Sequence, residues 1–316
     1  MIRTTGLVKS YGAFTAVNGI DLNIPRGQVY GFLGPNGAGK TSTIMMLLGI
    51  SRPTAGEIRL FGEVYTPERL DLRRRIGVVP EKHPRGVWAW MTAREYLSLF
   101  ADLFEVPRAA ERIDSLLSKV DLERFRNKRV KEFSRGMLQK LSIIRALLPD
   151  PDILFLDEPI SGLDPIGIKQ VRDLIVSENR EGRTIFISSH QLSEMEKICH
   201  RVAIIFRGKL MVEDTMANLL SRMTPDREIH VELESIPDAT VSRLRDLPFV
   251  RDVSALETTL IVRLSKEGDF RKALSEQLIR EGLVPLSIAE KTPSLEEAFI
   301  TITQENIDLL ARGGKR

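Results

Sequence analysis

Residues 34–41 read Gly-Pro-Asn-Gly-Ala-Gly-Lys-Thr, and Ser42 follows. The glycines at 34, 37 and 39 let backbone N–H groups turn inward around an anion, where a Cβ would block the approach. Lys40 adds a point charge for the outer phosphates of a nucleoside triphosphate, and the Thr41 hydroxyl suits Mg²⁺. A helix beginning here aims its N-terminal N–H groups at the same anion. Farther along, residues 153–158 read Ile-Leu-Phe-Leu-Asp-Glu. A buried strand that ends in two acids sets Asp157 beside the metal, directly or through water, and leaves Glu158 to polarise an attacking water. Each pattern has a bland reading alone, as a glycine-rich turn or a strand that stops at acidic residues. Together they point to nucleoside triphosphate hydrolysis.

These groups need strands and helices to hold them. Residues 29–33 form a short apolar run before the glycine-rich loop, and 41–48 read as the helix after it. Ile20, Leu22 and Ile24 alternate with polar neighbours ahead of the turn Pro25-Arg26-Gly27. Residues 57–61 and 76–79 read as further strands. The stretch 92–148 is helical in pattern. Thr92 with Glu95 fits a capping box that opens a helix through Leu103. Ile113, Leu116, Leu117 and Val120 recur at helical spacing, and residues 137–148 do the same before Pro149-Asp150-Pro151. Strand and helix then alternate: a strand at 153–156, Asp164-Pro165 as cap and first turn of a helix to about Asn179, strands at 184–188 and 202–206, and a helix at 192–199 between them. Such alternation predicts a layered α/β domain with a mainly parallel sheet. After residue 225 the pattern repeats on a smaller scale. Strands are expected at 229–233, 259–264 and 285–289, helices at 239–247 and 270–281, and a last helix capped by Ser294 with Glu297.

Between the two phosphate-site motifs lies Phe133-Ser134-Arg135-Gly136-Met137. Here the chain resembles the ATP-binding subunits of ABC transporters, whose signature usually reads LSGGQ. The resemblance covers about residues 1–220. Tyr11 sits where an aromatic stacks on adenine, Glu81 at the Q-loop position, Ser161-Gly162-Leu163-Asp164 at the D-loop, and His190, in FISSH, at the switch histidine. The resemblance implies an α/β P-loop NTPase of the ABC ATPase type, with a mixed sheet, a helical subdomain at about 84–150, and a small α+β C-terminal domain. The expected boundaries are 1–222 for the ATPase, 225–306 for the accessory domain and 307–316 for a tail. It implies ATP and Mg²⁺ as ligands. Gly34, Pro35, Asn36, Gly37, Ala38, Gly39, Lys40, Thr41 and Ser42 would cradle the phosphates, and Thr41, Glu81 and Asp157 would hold the metal. Glu158 would activate water, and His190 would contact the γ-phosphate.

The resemblance also implies a head-to-tail dimer, with itself or a homologous ATPase subunit. Ser134 caps the helix that starts there, so its hydroxyl and the Gly136 N–H would face the nucleotide of the opposite subunit. Asp164 would act across the same interface. Two departures stand out. Arg135 replaces the first signature glycine and Met137 the glutamine; an arginine there adds a charge-assisted phosphate contact or points to solvent. Glu81 replaces the usual glutamine and adds negative charge near the γ-phosphate. Glu81, the FSRGM signature and the C-terminal SLEEAF resemble the subgroup that serves ABC-2 type exporters. The partner implied is an integral membrane permease, and the place is the cytoplasmic face of the membrane. Trp88 and Trp90 follow the Q-loop, as coupling contacts or as local packing.

Composition bounds these readings. The chain has 316 residues, 42% hydrophobic and 28% charged, which excludes disordered, collagen-like and coiled-coil classes. The longest near-apolar run, 44–50, has seven residues, whereas a spanning helix needs ~20. The opening MIRTTGLVKSYG lacks the apolar core of a signal peptide. Cys199, the one cysteine, fits a reducing compartment. A net charge of +3 is too balanced to argue for nucleic acid, and no nucleic-acid partner is expected. Residues 225–316 hold 13 basic and 17 acidic side chains against 33 and 26 before them, which favours a boundary near Met223-Thr224-Pro225. Residues 108–145 hold 11 basic and 5 acidic, read as a solvated helical face. His83, His200 and His230 lack metal-ligand spacing. A soluble ABC protein acting on DNA or ribosomes is disfavoured, because there is no long coiled-coil insert and no second cassette. A degenerate regulatory nucleotide binder is disfavoured because every catalytic motif position is present.

Overall fold

The computed structural model describes residues 1–81, 87–223, 226–265 and 267–313. His83, the expected start of the helical subdomain at 84, Thr224 and Pro225 at the expected boundary, and the last residues of the 307–316 tail lie outside the described residues. The chain divides into two compact units, Met1–Met216 with Ile302–Arg316, and Ala217–Thr301.

The first unit opens with β1 (Ile2–Tyr11), β2 (Phe14–Ile24), β3 (Val29–Leu33) and α1 (Lys40–Leu47). β4 (Ala55–Leu60), β5 (Glu63–Val64) and one helical turn, α2 (Leu70–Arg73), lead to β6 (Ile76–Val79). Three helices follow: α3 (Ala93–Leu103), α4 (Ala109–Lys119) and α5 (Arg135–Leu147). Then come β7 (Ile153–Asp157), α6 (Pro165–Arg180), β8 (Thr184–Ser189), α7 (Leu192–Glu196), β9 (Arg201–Phe206) and β10 (Lys209–Thr215).

Two sheets result. One is antiparallel, in the order β2-β1-β4-β5; the other runs β10-β9-β3-β8-β7-β6. Its strands are parallel except for the antiparallel edge pair β9–β10. Strands of a parallel sheet are covered on both faces, so they read as apolar runs rather than alternations. Accordingly β3 and β8 are buried at every position. Phe186 on β8 packs its ring 5.1 Å from Phe155, 5.5 Å from Phe32 and 5.8 Å from Tyr30, centroid to centroid. In open α/β sheets, ligands bind in the crevice beyond the carboxyl ends of the strands. β3 ends at the glycine-rich loop, β7 at Asp157, and β8 just before His190.

The capping box opens α3 as expected: Glu95 N–H donates to Thr92 Oγ1, and Thr92 N–H to Glu95 Oε2. Ile113, Leu116, Leu117 and Val120 are all buried. Helix does not run through the whole stretch, however: residues 123–132 hold only short 3₁₀ turns before α5. α7 stops at Glu196, short of the expected 199. The Cys199 thiol lies against Gly31 on β3, and burial pushes its pKa far above the ordinary range.

A buried ion network ties α4 to α6. Glu178, with a side chain only 1% exposed, meets Lys119 Nζ at 2.5 Å and Arg183 Nε at 2.7 Å. Arg183 and Arg112 both reach Asp150, at 2.7 and 3.2 Å. Removing Arg183 takes a charge-assisted hydrogen bond from buried Glu178 while Lys119 stays in place. Arg183→Ala should therefore cost about 2 kcal/mol of stability, measured by chemical denaturation. An unchanged midpoint and slope would contradict this account of the network.

α8 (Met216–Met223) leads into the second unit, which carries β11 (Arg227–Glu232), α9 (Asp238–Arg245), β12 (Val250–Leu256), β13 (Thr259–Leu264), α10 (Arg271–Arg280) and β14 (Ser287–Lys291). α11 (Leu295–Gly313) closes the chain, capped reciprocally by Ser294 and Glu297. The sheet is antiparallel, β12-β13-β11-β14. It has its own core, including Ile229, Val231, Leu260, Val262, Leu274 and Leu278. Among the described residues no helix is long and apolar enough to cross a membrane.

Candidate functional site

A cavity of about 430 Å³ lies at the carboxyl ends of β3 and β7. Pro35, Asn36, Gly37, Gly39, Lys40, Thr41 and Ser42 line one side. Glu81, Asp157, Glu158 and His190 line it with them. Residues far apart in the chain thus share one wall.

Local backbone explains the loop. Gly39 caps α1 at φ +107°, and a Cβ there would stand 2.5 Å from the Ala16 carbonyl oxygen. A larger residue is excluded by both strain and space. α1 has no side-chain cap, which leaves its first-turn N–H groups available to an anion. Lys40 is 7% exposed. Its ammonium donates to the Gly34 and Pro35 carbonyls at 2.7 and 3.3 Å, and lies 3.9 Å from Glu158 Oε1. Burial lowers its pKa, opposed by the carboxylates of Glu158, Asp157 and Glu81.

The acids are held as tightly. Asp157 ends β7, where the sheet register pairs it with Ser188 of β8. The Ser188 hydroxyl donates to Asp157 Oδ1. Burial raises the Asp157 pKa; the Ser188 bond opposes the rise, while the charges of Glu158 and Glu81 add to it. Glu158 takes φ +48°, unusual for a residue with a side chain, and its N–H donates to the Ser188 carbonyl at 3.0 Å. Backbone strain of this kind persists where surrounding structure enforces it, often at catalytic positions. Glu158 Oε2 lies 2.8 Å from His190 Nδ1. The carboxylate thus stands between a lysine at ion-pair distance and a histidine at hydrogen-bond distance.

Other expected site residues lie elsewhere. Ser134, Arg135, Gly136 and Asp164 are not among the cavity's lining residues. Ser134 caps α5, accepting from the Met137 N–H at 3.3 Å. A Cβ at Gly136 would meet nothing within 4 Å, so this helix start is open to approach. Asp164 caps α6 through the Gly167 N–H at 2.8 Å. The Arg135 guanidinium donates to the Gly162 carbonyl at 3.3 Å. Ala38 is buried beneath the loop. Tyr11 is exposed at the β1–β2 turn, paired in register with Phe14, and it is Phe14 that lines the cavity. Trp88 packs on Phe100 and Tyr96, with centroids 5.6 and 6.5 Å away. Trp90 is exposed, with Lys131 Nζ 3.7 Å from its ring centroid.

Sequence reasoning missed three contributors: Phe14, Ser161 and Ser188. Ser161 belongs to the D-loop motif but lines the cavity of its own chain. Ser188 sits two places before His190 in FISSH, and only the β7–β8 register brings it to Asp157.

The chain is similar to known proteins of one family. The ABC transporter family matches residues 17–161. The bacitracin transport ATP-binding protein BcrA of Bacillus licheniformis is 39% identical over 303 residues, covering 96% of this chain and 97% of that protein. The daunorubicin/doxorubicin resistance ATP-binding protein DrrA of Streptomyces peucetius is 35% identical, covering 97% of this chain and 93% of its own. Among solved structures, cbiO1 of Clostridium perfringens, part of an ABC transporter complex, superposes with a TM-score of 0.65 at 27% identity. That match covers 70% of this chain and 90% of cbiO1. With its glycine-rich loop, acidic strand end and His190 gathered at one cavity, the chain belongs to the ABC transporter family, as one of its ATP-binding and ATP-hydrolysing proteins.

Proposed function

We propose that this chain is a Mg²⁺-dependent ATPase subunit that powers export through a separate membrane permease. In this reading it works as a head-to-tail dimer with two shared ATP sites. The observation that carries the dimer is a separation. Ser134 and Gly136 form an open helix start, yet neither lines the cavity that holds Lys40 and Glu158. A second copy, or a homologous subunit, would bring its own helix start to the γ-phosphate.

Mg²⁺ fits the donor set. Thr41, Asp157 and Glu81 offer hard oxygens around one cavity. Among the described residues no group of three or more His, Cys, Asp or Glu side chains could hold a metal ion. Mg²⁺ in general takes one or two protein carboxylates and completes its shell with phosphate oxygens and water. When bound, Mg²⁺ neutralises charge on the phosphates. The protein groups do the rest. Lys40 and the first-turn N–H groups of α1 bind the phosphate oxygens. Glu158 accepts the proton of the attacking water, and His190 holds Glu158 in place and faces the γ-phosphate. Tyr11, with Phe14 beside it, offers the aromatic platform for adenine.

Export and a drug-like cargo are supported by the names of BcrA and DrrA. A permease would dock from the cytoplasmic face of the membrane. A groove of about 1080 Å³ in the first unit suits it, lined by Ile50, Leu70, Leu103 and Phe104, which are exposed, and also by Arg73 and Arg108. An apolar groove of this size accepts the apolar face of a helix. The test is affinity purification of the tagged chain from cell membranes. An integral membrane protein should copurify in fixed proportion. Recovery of the chain on RNA or DNA in moderate salt, with none in the membrane fraction, would overturn the reading.

A further inference from the structure

Arg135 stands where the family signature carries glycine, and its guanidinium reaches the loop that follows β7. Arg135 Nη1 donates to the Gly162 carbonyl at 3.3 Å. Gly162 holds φ +67°, and a Cβ there would fall on Arg135 Nη1 and Cζ, closer than real side chains approach. The guanidinium therefore occupies the space that a side chain at residue 162 would take. The loop it touches is short and connected at both ends. Ser161 lines the nucleotide cavity, and its N–H donates to the Glu158 carbonyl at 3.2 Å. Asp164 caps α6. One residue before Arg135, Ser134 caps α5.

We propose that Arg135 is a positioning residue that couples the two ATP sites of the dimer. It ties the signature helix, which engages the partner's nucleotide, to the Ser161–Asp164 loop that borders this protomer's own Glu158. The proposal rests on the dimer reading given above. A planar guanidinium suits the task, because it hydrogen-bonds and stacks at once, whereas an ammonium presents a point charge. In this arrangement the charge at Arg135 serves the loop of its own chain and not the partner's phosphates. When the partner's nucleotide draws the α5 N-terminus into place, Arg135 draws Gly162 with it, and Ser161 sets the Glu158 backbone.

The consequences separate from those of a phosphate contact. Losing a phosphate contact raises the KM for ATP. Losing the tether leaves KM in place, lowers kcat, and makes the two sites independent. The test is steady-state ATPase kinetics of the full chain. In Arg135→Gly, kcat should fall about tenfold, the loss expected for one hydrogen bond to a charged group. The Hill coefficient for ATP should fall from above 1 to 1, and KM should stay within twofold. Gly162→Ala supplies a second arm. Its backbone strain is the same in any background, so comparing its cost in the wild type and in Arg135→Gly isolates the clash with the guanidinium. Gly162→Ala should lower kcat about tenfold in the wild type and clearly less in Arg135→Gly. Equal costs in both backgrounds would overturn the proposal. So would a raised KM in Arg135→Gly with kcat and Hill coefficient unchanged, or a wild-type Hill coefficient of 1. The dimer reading fails separately: if Glu158→Gln stays monomeric with ATP, that reading falls. If Glu158→Gln dimerises and Arg135→Gly keeps its cooperativity, only the tether falls.

Discussion

Glu158→Gln should leave ATP binding intact and lower turnover by about 10²–10⁴-fold, the range a positioned general base supplies. The geometry makes the substitution clean. Gln keeps the shape of Glu, and its amide can still hydrogen-bond His190 Nδ1, which lies 2.8 Å from Glu158 Oε2. The change removes the basic site while leaving the φ +48° backbone and its bond to Ser188 in place. It also removes one of three negative charges acting on Lys40, so ATP, itself anionic, should bind no more weakly than to the wild type. An ATPase assay with a parallel nucleotide-binding titration checks both halves. Normal turnover would remove Glu158 from the chemistry.

The second large effect is at Lys40. Lys40→Met should weaken ATP binding on the order of a hundredfold, as expected when one partner of a buried, hydrogen-bonded charge pair is removed. The lysine is nearly enclosed and faces Glu158, Asp157 and Glu81. Those carboxylates line the same cavity, and losing Lys40 removes the ammonium that lies 3.9 Å from Glu158 and offsets their charge. Met fills the space of the alkyl stem, so the fold should survive and the loss should appear in Kd. Equilibrium titration with a fluorescent ATP analogue measures it. A Kd within threefold of wild type would contradict the place given to Lys40. The two variants fail at different steps: Lys40→Met before binding, Glu158→Gln after it.

Much of the candidate cavity was legible because its groups lie in contiguous motifs. A glycine-rich loop needs its glycines and lysine at set spacing, and a strand that ends in acids delivers them beyond the carboxyl ends of the sheet strands. What was not legible depended on register or on distant contacts. Ser188 meets Asp157 only through strand pairing, and Phe14 reaches the cavity through the turn it shares with Tyr11. Arg135 had two readings from sequence, phosphate or solvent. Its contact with Gly162 needs the start of α5 to lie beside the loop after β7.

Strands were missed for a related reason. β1, β10 and β12 each carry register shifts, near Thr4–Leu7, Leu210–Val212 and Val250–Asp252. A bulge adds a residue and breaks the period of two on which strand reading relies. In β12 the buried positions Val250 and Val253 are three apart, a spacing that resembles a helix more than a strand. The capped helices α3 and α11 were found because their signals, Thr92 with Glu95 and Ser294 with Glu297, are local.

The central claim is that ATP joins two copies across shared sites. The most direct measurement is the solution mass of the Glu158→Gln chain by light scattering, with and without Mg²⁺-ATP. The account predicts a chain of 35.7 kDa without nucleotide or with ADP, and twice that mass when saturated with Mg²⁺-ATP. A single-chain mass at saturating Mg²⁺-ATP, with binding confirmed in the same sample, would contradict it.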